Sequence, residues 1–362
     1  MKFSRGGRAY DFRRYPATSN KSLQPLSAAD ELLLEAAAED PAATVTIQHD
    51  RFGVLACCLH QRALRFVGTY SSQEKALKLN WAGNDLPAPL PAAYDVLSTP
   101  PPAELVLTRL PKSLELLEVY LAQVTQGAAN PPERMVIGFM TRHFSPRLLE
   151  IAGRYAENVE QSKARKKART LHLSGWKATA TVPQVTQVKY GEHELSHYPG
   201  VFASGRIDPA TRFLLEELKV WPHELRLLDP ACGNGIIGLE LLRRQPTALL
   251  TATDDFSPAA ASARLNLPAW QTTVLCQDDL AGIPDGSIHL AACNPPFHFE
   301  YETNIEVSIG LFRETARVLR PGGRFVLVAN RHLNYATHLE WIFPRVRTVK
   351  EQGKFVIYEC TK

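Results

Sequence analysis

Short apolar runs and amphipathic stretches alternate along this chain, and the alternation runs through it twice. Ser27 caps a predicted helix over 28–38, with Leu32, Leu33 and Leu34 along it. Strands are expected at 44–47 and 64–68. Between them lies a second apolar segment, 54–59, whose Cys57-Cys58 pair reads as strand interior. A Pro-rich loop over 84–102 leads to a strand at 105–107, a helix at 114–124, a strand at 135–139 and a helix at 147–156 opened by Ser145-Pro146. The second half predicts helix 212–220, strand 225–228, helix 239–244, strand 249–253, helix 257–265 and strand 273–276. Strands at 288–293 and 324–329 follow, and a hairpin of 346–350 with 355–359 closes the chain. Strands alternating with helices of this length indicate an α/β fold on a parallel sheet.

The two halves read as distant copies. Strand, turn and helix recur at Asp50 and Asp229, and Arg109-Leu110-Pro111 and Asn294-Pro295-Pro296 follow about 60 to 65 residues later in each half. Arg142-His143 matches Arg331-His332, with Lys166 and Lys354 at a similar spacing beyond. The first copy carries Arg51-Phe52-Gly53 where the second has a glycine loop, and Arg109 where the second has Asn294. Two domains are therefore expected, 1–180 and 181–362, the first keeping the fold and lacking the site.

Length and composition fit that division: 362 residues, 45% hydrophobic, give two domains ample core. A net charge of +4 permits a polyanionic partner without demanding one. The six cysteines form no CxxC pair in a chain too large to need staples, so they read as free thiols of a reducing cytosol. No Cys or His spacing suits a metal. The segment 1–20 carries Lys2, Arg5, Arg8, Arg13 and Arg14 without an apolar core, the pattern of a basic arm and not of a secretory leader. No run of 18 apolar residues is present to span a membrane.

The candidate chemistry centres on Asn294-Pro295-Pro296-Phe297, at the end of the apolar run 288–293. Two prolines remove two amide donors, so the strand must stop and the backbone must turn out of the sheet. Ligands of open α/β sheets bind at such carboxyl ends. The Asn294 side-chain oxygen and the Pro295 carbonyl are two acceptors suited to an exocyclic amine, and the Phe297 ring suits a flat base. Upstream, Cys232-Gly233-Asn234-Gly235 opens a helix after a strand, a loop whose amides and small residues admit a nucleotide-like ligand. Asp229 before the loop would repel a pyrophosphate and tolerate a cationic amino-acid end. S-adenosyl-L-methionine is such a ligand. Asp254, about 20 residues past the loop, can accept from ribose hydroxyls. Asp278 or Asp279 can accept from the adenine amine.

Asp229-Pro230-Ala231-Cys232-Gly233-Asn234-Gly235, with Asp254, Asp278 and Asn294-Pro295-Pro296-Phe297 in order, resembles the class I S-adenosylmethionine-dependent methyltransferases. Tyr15-Pro16-Ala17-Thr18, Pro199-Gly200-Val201-Phe202, Ile207-Asp208 and Val328-Ala329-Asn330-Arg331-His332-Leu333 are similar to bacterial ribosomal RNA guanine-N2 methyltransferases. The order of Asn330-Arg331-His332-Leu333 and Lys354-Phe355-Val356 looks most like the large-subunit (23S) enzymes, with the small-subunit (16S) enzymes as the alternative. The resemblance implies two tandem class I methyltransferase (Rossmann-like) domains, the N-terminal one degenerate. It also implies Phe202 in the cofactor-covering segment and N2-methylguanine in ribosomal RNA as product. Two departures stand out: Pro230-Ala231 replaces the usual Leu-Gly, and Ala203-Ser204-Gly205-Arg206 differs from the family's Ser-Arg-x-Gly.

The run Lys163, Arg165, Lys166, Lys167 and Arg169 is expected to hold RNA phosphates, leaving base readout to the second domain. Cys293 precedes Asn294 inside an apolar strand and should face away from it, which argues against a thiolate nucleophile. An adenine-N6 or protein-glutamine methyltransferase would also use an Asn-Pro-Pro-aromatic turn, and a non-catalytic RNA-binding factor would use the first domain alone.

Overall fold

The computed structural model describes residues 1–126, 131–177, 185–202, 205–296, 298–299, 301–303 and 305–362. The chain divides into two units, Met1–Pro183 and Gln184–Lys362.

In the first unit the order is α1 (Ala28–Ala38), β1 (Thr44–Gln48), α2 (Val54–Cys58), β2 (Ala63–Gly68), α3 (Ser71–Gly83), β3 (Ala92–Asp95) and β4 (Leu105–Arg109). Then come α4 (Leu114–Gln126), β5 (Arg134–Met140), α5 (Pro146–Tyr155), β6 (Ala156–Gln161) and β7 (Ala168–Trp176). The seven strands lie in the order β3-β2-β1-β4-β5-β7-β6. Pairing is parallel from β3 to β5 and antiparallel through β7 and β6. A separate hairpin, Lys2–Arg5 with Arg8–Asp11, is formed by the basic arm.

The second unit repeats this element for element: α6 (Pro209–Glu217), β8 (Arg226–Pro230), α7 (Ile236–Arg244), β9 (Leu249–Asp254), α8 (Ser257–Asn266), β10 (Thr272–Cys276) and β11 (Ile288–Cys293). It ends with α9 (Ile305–Val318), β12 (Leu319–Asn330), α10 (Tyr335–Glu340), β13 (Arg345–Gln352) and β14 (Phe355–Thr361). Its sheet runs β10-β9-β8-β11-β12-β14-β13, the same order again. Neighbouring residues feed opposite faces: Leu227 and Ala292 pack in one core cluster, Leu228, Ala291 and Cys293 in the other. A sheet covered on both faces needs continuous apolar runs, which is why these strands lack polar alternation.

The expected parallel sheet is thus mixed, since the last two strands of each unit run antiparallel. The Cys57-Cys58 segment is helix, not strand. A five-residue apolar run has no periodicity to separate the two, and what settles it is the backbone around it. Gly53 takes φ 70° as the N-cap of α2, and the Asp50 carboxylate accepts from the amides of Val54 at 3.0 Å and Ala56 at 3.1 Å. Helices α3, α9 and α10 and the strands β3, β6 and β7 were not expected. The repeat also slides by one residue against the sequence match. The Thr141 amide donates to the Lys167 carbonyl, and the Arg331 amide to that of Lys354, both at 2.8 Å. Thr141 and Lys167 therefore occupy the places of Arg331 and Lys354. Among the described residues no helix is long and apolar enough to cross a membrane.

Candidate active site

The second unit gathers its candidate residues at the carboxyl ends of β8, β9 and β11. β8 leads into the turn Ala231 to Gly235, where Ala231, Gly233 and Gly235 all have positive φ, at 59°, 56° and 84°. The glycines differ in purpose. A Cβ on Gly235 would meet the Leu267 side chain at 3.1 Å and Ala263 Cα at 3.3 Å, so Gly235 lets α7 and α8 approach. A Cβ on Gly233 would meet nothing within 4 Å, so that position leaves an open cradle beside the loop.

Asp254 closes the loop from the next strand. Its Oδ2 accepts from the Gly233 amide at 2.8 Å and its Oδ1 from the Phe256 amide at 2.9 Å. Burial pushes this carboxyl up to about 6, with the two amides pulling the other way. Each oxygen retains a lone pair, so the group can still accept from a diol. Asn234 is pinned by its carbonyl, which accepts from Asn266 Nδ2 at 2.8 Å. Asp278 is half-buried just beyond β10, one residue after Gln277, whose amide donates to the Asp254 carbonyl at 2.8 Å. Phe202 is 64% exposed, a bare ring ahead of α6.

Asp229 and Cys232 are the buried members of the set. The Asp229 side chain is fully buried, its Oδ2 accepting from the Gly238 amide in the first turn of α7 at 2.8 Å and its Oδ1 without a hydrogen-bond partner among the described residues. Burial pushes it up to about 8. Its role is to tie strand to helix, as Asp50 does in the first unit, where burial pushes the carboxyl up to about 7. Cys232 is buried in the core cluster that includes residues of α6 and α7. Asp229 is the next-to-last residue of β8, whereas Cys232 lies beyond the strand in the loop.

Asn294 is the most constrained polar group of the site. Its Nδ2 donates to Asp208 Oδ2 at 3.1 Å and to Thr211 Oγ1 at 3.0 Å. Asp208 is itself the N-cap of α6, accepting from the Thr211 amide at 3.0 Å. Both amide hydrogens are consumed, and among the described residues no donor reaches Oδ1. Pro296 is buttressed through its carbonyl, which accepts from the Ser308 hydroxyl, and Tyr335 donates to Ser308 at 2.8 Å. Asp208 and Thr211 were not singled out as site residues, although an Asp-Pro N-cap was visible in the sequence. Phe297 lies outside the described residues, as do Ala203 and Ser204. Cys293 is fully buried, its thiol donating to the Pro230 carbonyl at 2.9 Å and held far above its ordinary pKa by burial. A sealed, protonated thiol is no nucleophile.

The first unit has the same scaffold with the site filled in. Only Arg51 and Phe52 separate Asp50 from the N-cap Gly53, whereas five residues separate Asp229 from Gly235. The Arg51 guanidinium stacks 4.0 Å over the Tyr70 ring and reaches Ser72 Oγ at 3.2 Å. β2 ends in Gly68 where β9 ends in Asp254. Arg109, at the end of β4, pairs with Asp30 at 3.0 Å.

The basic run occupies the β6–β7 turn and the start of β7. Arg165 pairs with Glu35, and Lys166 with Glu31 at 2.6 Å. Lys163 and Lys167 are exposed, while Arg169 is half-buried within the strand and not on a solvated face. The sequence run looked uniform; strand pairing with Phe139 draws Arg169 in.

A sheet of this strand order, with a glycine loop, a strand-two acid and an Asn-Pro-Pro turn on consecutive carboxyl ends, defines a methyltransferase domain set behind a copy that has lost its cofactor site. Family models agree: residues 1–177 match the RLMG N-terminal domain and residues 192–359 the methyltransferase small domain. The chain belongs to the ribosomal RNA large subunit methyltransferase G family. It is 33% identical to the protein of that name from Aeromonas hydrophila, over 96% of each chain. It is 34% identical to that from Ectopseudomonas mendocina, over 96% of each, and 32% to that from Streptomyces coelicolor, over 96% of this chain and 97% of the other. Its fold matches the T. thermophilus 16S rRNA N2 methyltransferase RsmC, solved with AdoMet and guanosine, with a TM-score of 0.77 at 20% identity. That match covers all of this chain and 97% of the other.

Proposed function

We propose that this protein transfers the methyl group of S-adenosyl-L-methionine to the exocyclic N2 of a guanine in 23S ribosomal RNA. The observation that carries the proposal is the fixed carboxamide of Asn294, whose spent hydrogens leave Oδ1 as an acceptor at the mouth of the site. The family's name supplies the RNA, and guanosine in the RsmC structure supports the base.

The residues fit the cofactor: the open side of Gly233 leaves room for it, and Asp254 ends β9 as a carboxylate beside the loop, bonded to the Gly233 amide. When bound, S-adenosylmethionine supplies an electrophilic methyl on a sulfonium. Asp254 accepts from the ribose hydroxyls, Asp278 from the adenine amine, and Phe202 covers the ligand. Asn294 Oδ1 and the Pro295 carbonyl hold the N–H bonds of a flipped-out guanine, so its nitrogen turns tetrahedral with the lone pair facing the methyl. Phe297 stacks on the base, worth about 1–3 kcal/mol. No strong base is required, since the proton leaves after a cationic product forms. Alignment then carries most of the acceleration; well-oriented reactions gain roughly 7–11 kcal/mol.

The division of labour follows the duplication. The domain 181–362 catalyses, and the domain 1–180 holds RNA phosphates with the exposed Lys163 and Lys167, joined by Arg165 and Lys166 once they leave their acidic partners; Arg169, drawn into the strand, supports the turn from beneath. Transfer of labelled methyl onto separated ribosomal RNAs, with nucleoside analysis, tests the reading. Label in N2-methylguanine of 23S RNA is expected. Label on adenine or on a pyrimidine carbon overturns the target, and label confined to 16S RNA overturns the subunit.

A further inference from the structure

We propose that Asp208 is a positioning residue for methyl transfer, setting which end of the Asn294 carboxamide faces the substrate amine. The inference rests on the amine-methylating reading above.

A carboxamide is nearly symmetric in shape and opposite in hydrogen-bonding character at its two ends. With Oδ1 outward it accepts from a substrate N–H; with Nδ2 outward it presents a donor to a donor and blocks the reaction. Among the described residues of the Pro-Pro turn, no hydrogen bond chooses between the two. The choice is made from α6. Asp208 Oδ2 lies 3.1 Å from Asn294 Nδ2 and Thr211 Oγ1 lies 3.0 Å from it. The carboxylate has no hydrogen to give, so only the NH2 end satisfies it. Asp208 also accepts from the Thr211 amide at 3.0 Å, so capping the helix fixes the acid's own rotamer. Folding of α6 thereby sets the orientation before substrate arrives.

The first unit contains the same tie with another outcome. Asp30, in the first turn of α1, accepts from the Ser27 amide at 2.7 Å and pairs with Arg109 Nε at 3.0 Å. An acid at the start of the first helix therefore grips, in both copies, a residue at the carboxyl end of the fourth strand: Arg109, the last of β4, and Asn294, the first beyond β11. A guanidinium carries no acceptor, so the first copy has nothing to offer an amine. The tie belongs to the scaffold; the amide at its far end makes it a positioning device.

The test is a swap between positions 208 and 294, read as kcat and cofactor Kd with the full chain and 23S RNA. Asp208→Asn keeps a competent helix cap and replaces a charged acceptor by a neutral amide that can itself flip; kcat falls about tenfold, the order of one charged hydrogen bond. Asn294→Asp sets two carboxylates face to face, and kcat falls at least about a hundredfold. In the double variant the amide at 208 donates to the carboxylate at 294, whose free oxygen accepts from the substrate, and kcat returns at least about tenfold above Asn294→Asp alone. Cofactor Kd stays within about twofold throughout, since among the described residues no hydrogen bond joins these side chains to the glycine loop. Losses that simply multiply in the double variant, or a kcat within twofold of the parent for both Asp208→Asn and Thr211→Val, overturn the proposal. If the parental chain methylates no guanine, the reading of function fails instead, whatever the variants do.

Discussion

Asn294→Ala isolates the acceptor from the scaffold that holds it. The substitution removes Oδ1, the atom assigned to the N–H of the attacking amine as positive charge builds on nitrogen. Loss of one oriented hydrogen-bonding group aimed at developing charge costs about 2.7–4 kcal/mol, or about 10²–10³ in kcat. The structural cost should be smaller. Asp208 keeps its cap bond to the Thr211 amide, and as a half-buried group it can be rehydrated where Nδ2 was. The uncovered acceptors then cost about 1 kcal/mol, the low end for an exposed partner. Calorimetry with S-adenosylmethionine should give an unchanged Kd, thermal melting a shift of a few degrees, and single-turnover methyl transfer a drop of two to three decades. Transfer at more than a tenth of the parental rate, with cofactor binding intact, would refute the assignment of Asn294 to the amine.

The buried acids set a pH dependence of stability. Asp229 and Asp50 are pushed up to about 8 and about 7 by burial, so the folded state holds protons the unfolded chain releases near pH 4. Their contribution is complete below the unfolded value and is lost as pH rises through the folded one; urea midpoints should fall from pH 5 to pH 8, less so in Asp229→Asn, and parallel slopes would contradict this. Ala231 sits at φ 59° where a glycine would be unstrained, so Ala231→Gly should raise the melting temperature, by up to about 1 kcal/mol of relieved strain. Charge reversal at Lys163 and Lys167 should weaken RNA binding and flatten its salt dependence while cofactor affinity holds; unchanged RNA affinity removes this turn from the interface. Cys293→Ser should retain methyl transfer within a fewfold, and complete loss in a folded variant would reopen a thiol role.

Much of this protein is written in local pattern. The glycine loop, the acid ending the second strand and the Asn-Pro-Pro stop are each local statements about backbone conformation and side-chain type, so they could be placed on strand ends without coordinates. The doubled order of elements was legible for the same reason, through Asp50 and Asp229. What the sequence leaves open is direction. Leu227 and Leu228 are adjacent in the chain and feed different core clusters, and only packing on both sides of the sheet assigns them. That Asp229 also ties β8 to the first turn of α7, through the Gly238 amide nine residues on, is visible only in the fold. Likewise the run from Lys163 to Arg169 reads as uniform charge until α1 supplies Glu31 and Glu35 and β5 draws Arg169 into the sheet. The orientation of the Asn294 amide rests on an acid 86 residues away. Hydrogen bonds between residues so far apart cost chain entropy that only the completed fold can offset, and so they exist as tertiary facts with no local signature.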